Sequence, residues 1–180
     1  MEDDQAPPDF PVEGEKKIVV VGHSGCGKTS LIASFISESP VDMTGTVPKE
    51  IRKTISFGRE RLEVVLREEP SGHYFEFVRM LDYAGTSAAL VCFAFNDANS
   101  IRSVPKWIHE MRQYCRPGDL SVVGCKLDLK HKTPVSVEEW MDLEKAIIPY
   151  KYLECSAKTG EGVSHLVRIV GSVLLNQQRS

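Results

Sequence analysis

Eight residues, Gly22-His23-Ser24-Gly25-Cys26-Gly27-Lys28-Thr29, constrain this chain more than any other stretch. They follow an apolar run, Ile18-Val19-Val20-Val21, and precede an apolar-periodic segment that begins Leu31-Ile32. The order is strand, glycine-rich turn, helix, with the spacing G-x-x-x-x-G-K-[ST] of a phosphate-binding loop. Glycines let consecutive backbone N–H groups turn inward around a phosphate chain, and the helix opening at the turn aims its positive dipole end at the same anion. Lys28 is expected to reach the β and γ phosphates, and the Thr29 hydroxyl to face a Mg²⁺ that bridges them. Gly22, His23, Ser24, Gly25, Cys26, Gly27 and Ser30 complete the expected cradle. The spacing G-x-G-x-x-G cannot be read in residues 23–27, which argues against a nicotinamide or flavin enzyme.

A chain of 180 residues is one domain, long enough for a sheet covered by helices on both faces. The net charge of −3 comes with no basic stripe, so the electrostatics favour neither a nucleic acid nor an anionic membrane surface as partner. No apolar run approaches the roughly 20 residues of a membrane span, and no basic start leads into an apolar leader. These features predict a cytoplasmic protein, with partners as a route to a peripheral place at a membrane. Cys26, Cys92, Cys115, Cys125 and Cys155 show no C-x-x-C pairing and read as reduced, mostly packed thiols. The five histidines are scattered, which predicts no structural metal.

Residues 1–15, acidic and proline-rich, read as a flexible tail ahead of a domain over 16–177. A helix is expected over residues 28–37, with Leu31, Ile32, Phe35 and Ile36 on one face, stopping before Pro40. Residues 41–52 read as an extended loop. From Thr54 an alternating pattern begins; Leu62, Val64, Leu66 and then Phe75, Phe77, Met80 bracket the turn signal Glu69-Pro70-Ser71-Gly72, which predicts an antiparallel hairpin ending at Leu81-Asp82. Residues 89–95 suit a strand buried on both faces. The next helix is expected to start near Ser100 or Ser103, placing Pro105 in a first turn, with Val104, Trp107, Ile108 and Met111 facing inward. A strand over 121–125, a helix capped by Ser136 and Glu139 that presents Val137, Trp140 and Ile147, a strand over 152–155 and a final helix carrying Val163, Leu166, Val167, Val170 and Leu174 complete the pattern. Trp107 and Trp140 read as core anchors. Strands alternating with helices after one hairpin give a mostly parallel sheet with a single antiparallel edge strand.

In an open parallel sheet the ligand lies at the carboxyl ends of the strands. The loops there supply Asp82-Tyr83-Ala84-Gly85, with a carboxylate for Mg²⁺ and a glycine N–H for the γ-phosphate; Lys126 and Asp128, whose carboxylate suits the N1 and N2 donors of guanine; and Ser156-Ala157-Lys158, with a backbone N–H for guanine O6. Over nearly all of residues 16–177 the chain resembles the Ras superfamily of small GTPases. Residues 22–29 match the phosphate loop, Asp82 to Gly85 D-x-x-G, Cys125-Lys126-Leu127-Asp128 [N/T]-K-x-D, and Glu154-Cys155-Ser156-Ala157-Lys158 E-x-S-A-K. Strings around Val123 to Leu129 and Lys106 to Cys115 look more like the Rho and Rab branches than Arf, although the extra Rho helix is not evident between Leu129 and Tyr152. The resemblance implies a small G-protein fold of the P-loop NTPase class with a six-stranded sheet, GTP or GDP with Mg²⁺ as ligands, and effectors, exchange factors or GTPase-activating proteins at a switch face.

Several positions depart from that pattern. Thr86 stands where the family places a water-orienting glutamine, which predicts slow hydrolysis. Four residues, Thr86-Ser87-Ala88-Ala89, separate Gly85 from the next apolar run, leaving little room for a second switch. Thr46 is the preferred first-switch threonine and metal ligand, with Thr54 as the alternative. Cys125 replaces the asparagine or threonine of the base loop, and Ser24 replaces a glycine. No terminal cysteine for a lipid anchor is visible after Cys155. Two readings stay open: a regulator that cycles between GTP and GDP, and a pseudo-GTPase serving as a complex subunit.

Overall fold

A computed structural model describes residues 14–40, 47–57 and 59–178. The tail reading of residues 1–13 and the metal assignment of Thr46 lie outside the described residues.

Ile18 to Val21 are wholly buried because β1, Lys16–Gly22, runs through the middle of the sheet. A continuous β-branched run suits a strand covered on both faces. Next to it lie β3, Glu60–Glu68, and β4, Thr86–Ala94, both parallel to it. Beyond β4 come β5, Leu120–Cys125, and β6, Lys151–Glu154, also parallel. On the other edge β2, Glu50–Phe57, pairs antiparallel with β3, giving the order β2-β3-β1-β4-β5-β6. The fold is therefore the expected mostly parallel six-stranded sheet with one antiparallel edge strand.

Alternate residues of the central strands feed two cores. On one face Val20, Val64 and Leu90 pack with Leu31 and Phe35 of α1, Lys28–Ser37, and with Leu166 and Val170 of α5, Val163–Gln178. On the other, Val19, Val91 and Phe93 meet Trp107 and Met111 of α3, Ala98–Met111, and Leu143 and Ile147 of α4, Val137–Ile147. The capping box of α4 forms in full, with the Ser136 hydroxyl accepting from Glu139 N–H at 3.2 Å and Glu139 accepting from Ser136 N–H at 3.0 Å. Val137, expected on the inner face, is 71% exposed, because it is the first residue after the cap and points off the end of the core.

Two predicted elements are corrected. Helix α3 starts at Ala98, since the Asp97 carboxylate caps the N–H groups of Asn99 and Ser100, so Pro105 lies inside the helix and not in its first turn. The second arm of the predicted hairpin is no strand. Residues 73–75 form a single 3₁₀ turn and Glu76–Asp82 a helix, α2, while the hairpin is β2 with β3. Phe75, Phe77 and Met80 consequently face solvent.

Candidate nucleotide site

The phosphate loop begins where β1 presses against β4. A Cβ on Gly22 would stand 2.4 Å from the Cys92 carbonyl oxygen, so only glycine lets the two strands stay paired there. Past it, Gly27 at φ +106° turns the chain into α1. Lys28 is buried, and its ammonium donates to the carbonyls of Gly22 at 3.0 Å and His23 at 3.1 Å, reaching back across the loop. Ser24 is exposed at the loop's rim, and the Cys26 thiol, buried against the Cys92 carbonyl at 3.6 Å, is pushed up by desolvation.

A cavity of about 470 Å³ opens beside this loop. Gly27, Ser30 and Leu31 line one side of it; Cys125, Lys126 and Asp128 come from the end of β5, and Cys155, Ala157 and Lys158 from the end of β6. Lys126 takes a left-handed backbone, φ 59°, and its ammonium donates to the Gly25 carbonyl at 2.9 Å, tying the β5 loop to the phosphate loop. Asp128 accepts from the fully buried Ser156 hydroxyl at 2.7 Å, and that hydroxyl in turn accepts from Thr159 N–H at 3.1 Å. Cys125 closes the cavity floor with its thiol near the Val123 carbonyl, making no bond to the phosphate loop.

The structure brings residues 22–30, Cys125, Lys126, Asp128 and 156–158 around one cleft; it does not bring Asp82, Gly85 or Thr86 there. Register pairs Thr86 with Lys17 and Cys92 with Gly22, so Thr86 sits about 20 Å down the strand from the phosphate loop, six residues at about 3.3 Å each. Its hydroxyl donates to the Tyr83 carbonyl at 2.7 Å. Asp82 ends α2 and pairs with Arg67 at 2.9 Å, and Gly85, φ +76°, makes the turn into β4. The alternative threonine, Thr54, is mid-strand and exposed, donating to Glu63 at 2.7 Å. Gly85 leads straight into β4, so Thr86-Ser87-Ala88-Ala89, expected as a short spacer, are its first four residues, and the helix of this region lies before Gly85, at Glu76–Asp82.

Glu68 was missed. It ends β3, its Oε2 accepts from the Thr29 hydroxyl at 2.7 Å, and its Oε1 pairs with Lys49 at 3.2 Å. The signal was present, a carboxylate closing the alternating run Leu62, Val64, Leu66, but Asp82 to Gly85 matched the letters of the motif better. Its neighbour Glu69 is buried with Oε1 lacking a hydrogen bond; desolvation, with the Asp82 charge beside it, pushes this carboxyl up to about 7.

Helix α2 is anchored through Arg79. Its guanidinium grips Glu110 on α3 with Nε to Oε1 at 2.8 Å and Nη2 to Oε2 at 3.2 Å, and Nη1 donates to the carbonyls of Pro70 and Gly72. The paired guanidinium and the Tyr83 hydroxyl hold the Glu110 carboxyl below its usual range, against the opposing effect of burial.

A phosphate cradle and a base-sized cavity assembled from the ends of β1, β3, β5 and β6 make this a P-loop nucleotide-binding domain of the small G-protein type. The model of the Ras family matches residues 17–175, and the chain belongs to that family. Among its relatives is the Rho-related GTP-binding protein RhoE of Homo sapiens, 33% identical over 159 residues, with RhoE of Mus musculus and of Rattus norvegicus at the same identity. The match covers 81% of this chain and 65% of each relative, so the chain spans less than two thirds of their length. No helix among the described residues is long and apolar enough to cross a membrane.

Proposed function

We propose that the chain is a guanine-nucleotide-binding small GTPase, a GTP/GDP-dependent regulator of signalling or membrane traffic that hydrolyses GTP slowly on its own. The observation that carries this reading is the Asp128 carboxylate, fixed by Ser156 on the wall of the 470 Å³ cavity. A carboxylate so held can accept from N1 and N2 of guanine, a donor pair that adenine does not offer, and a buried lysine on a glycine-rich turn suits the phosphates. The Thr29 hydroxyl and Glu68 carboxylate, adjacent hard oxygen donors, fit a Mg²⁺ ion, which when bound would neutralise charge between the β and γ phosphates.

Slow hydrolysis rests on the segment after β3. Pro70, Ser71, Gly72 and His73 follow the acidic pair Glu68-Glu69, and residues 69–85 contain no glutamine to orient an attacking water. The same feature favours a second reading, a subunit that holds GTP without turning it over. Effectors, exchange factors and activating proteins would meet the face built by Lys49 and residues 70–82.

The test is to denature freshly purified protein and identify the released nucleotide by chromatography, with a parallel incubation of several hours. GDP, or GTP converting to GDP, supports the regulator; persistent GTP moves the assignment to the second reading. No nucleotide, and no uptake with added Mg²⁺, refutes both. Lys28→Ala is expected to lower nucleotide affinity by about a hundredfold or more, consistent with loss of a charge-assisted phosphate contact.

A further inference from the structure

In a small G protein the segment after the third strand is the one expected to order and disorder with the γ-phosphate. Here residues 70–84 are fastened by contacts that no nucleotide makes. Arg79 is 1% exposed, and every polar contact of its guanidinium is internal: both oxygens of Glu110, and the Pro70 and Gly72 carbonyls at 3.0 and 2.9 Å. Its flat face lies 4.9 Å from the centroid of the Trp107 ring on α3. The Tyr83 hydroxyl donates to the same Glu110 carboxylate at 2.5 Å, with its ring against Tyr114. Past the end of α2, the Lys17 ammonium on β1 donates to the Asp82 carbonyl and, at 3.2 Å, to that of Ala84.

One side chain thus ties the start of the segment to the C-terminal turn of α3, and Tyr83 and Lys17 secure its end to α3 and β1. If the loop at Pro70 to Gly72 swung away, a buried guanidinium would lose two acceptors where water does not reach to replace them. The outer face of the same segment is turned to solvent: Tyr74 in the 3₁₀ turn and Phe77 and Leu81 on α2 are 96%, 83% and 81% exposed.

We propose that Arg79 is a positioning residue that latches residues 70–83 in one conformation whichever nucleotide fills the pocket, so that the outer face of α2 is presented constantly. This rests on the nucleotide-binding reading for its comparison of states, but the latch itself is a property of the chain alone.

Hydrogen–deuterium exchange tests it, with bound nucleotide quantified in each sample. In the wild type, exchange in a peptide covering 73–83 should agree within about twofold between the GDP form and the form bound to a non-hydrolysable GTP analogue. Glu110→Gln, which keeps volume and loses the charged fork, should speed exchange in that peptide about tenfold or more and make it nucleotide-dependent, while a peptide from 163–178 stays unchanged. A merely structural loss would raise exchange in both peptides. Tyr83→Phe, a milder cut to the same carboxylate, should give a smaller rise confined to 73–83, and it carries the test if Glu110→Gln does not fold. A wild type whose GDP form exchanges about tenfold faster than its analogue form, or variants with unaltered exchange, would overturn the latch. If no nucleotide is retained, the functional reading fails separately; wild type against variant without nucleotide then judges the latch, with equal exchange refuting it.

Discussion

The carboxyl of Glu69, buried and pushed up to about 7 from an ordinary 4.5, is protonated in the folded chain at pH values where the unfolded chain has ionised it. Between about pH 4.5 and 7 unfolding therefore releases a proton, and this group makes stability fall as pH rises, by about 3 kcal/mol in total before levelling off above 7. Glu69→Gln keeps the shape and removes the titration, so its melting temperature is expected to vary less than the wild type's between pH 5 and 7 in thermal unfolding across that range. Glu110 works in the opposite sense: its lowered value gives stability that is present above the ordinary carboxylate range and is lost as pH falls through its folded value. At the base end, Asp128→Asn exchanges an acceptor pair for a mixed donor and acceptor, and preference should move from guanosine towards xanthosine nucleotides by about tenfold or more in competition binding. Gly22→Ala puts a Cβ 2.4 Å from the Cys92 carbonyl oxygen, a clash with backbone that no side-chain rotation relieves, and should cost about 3 kcal/mol or more by denaturant unfolding.

The phosphate loop, the base loops and the strand feeding each were legible because local spacing encodes them: glycine positions, a lysine-threonine pair, a carboxylate just past a buried strand. Helix α2 was not, because residues 75–80 alternate apolar and polar well enough to pass for a strand while also fitting a short helix. What decides between them is the burial of Arg79, and its partner Glu110 lies 31 residues away on another element. The same gap hid Glu68, whose meaning depends on a hydroxyl 39 residues earlier, at Thr29. Pro105 misled in the other direction, since Asp97 caps α3 far enough upstream to carry the proline inside. Where both halves of a device are local the reading held: the Ser136 and Glu139 box forms as predicted. Ser136→Ala should cost about 1 kcal/mol and lower the melting temperature by about 2–4 °C.

Across the whole molecule a single sheet serves two cores, so neither can be lost alone. Phe35 lies in one and Phe93 in the other, both fully buried. Phe35→Ala and Phe93→Ala should each cost about 3–5 kcal/mol, and calorimetry should show one shifted transition in both cases, without a second step. The proposed ligand site is spread along the chain in the same way, with Lys28 and Thr29 near its start, Glu68 before the midpoint and Ser156 to Lys158 close to its end. Chains are made from the amino terminus at a finite speed. A chain leaving the ribosome displays its phosphate loop early, yet Asp128 has no hydroxyl to hold it until Ser156 has emerged and β6 has found β5. Capture of a nucleotide of the class proposed above would then wait for β6: its grip closes only on chains in which that strand has joined the sheet.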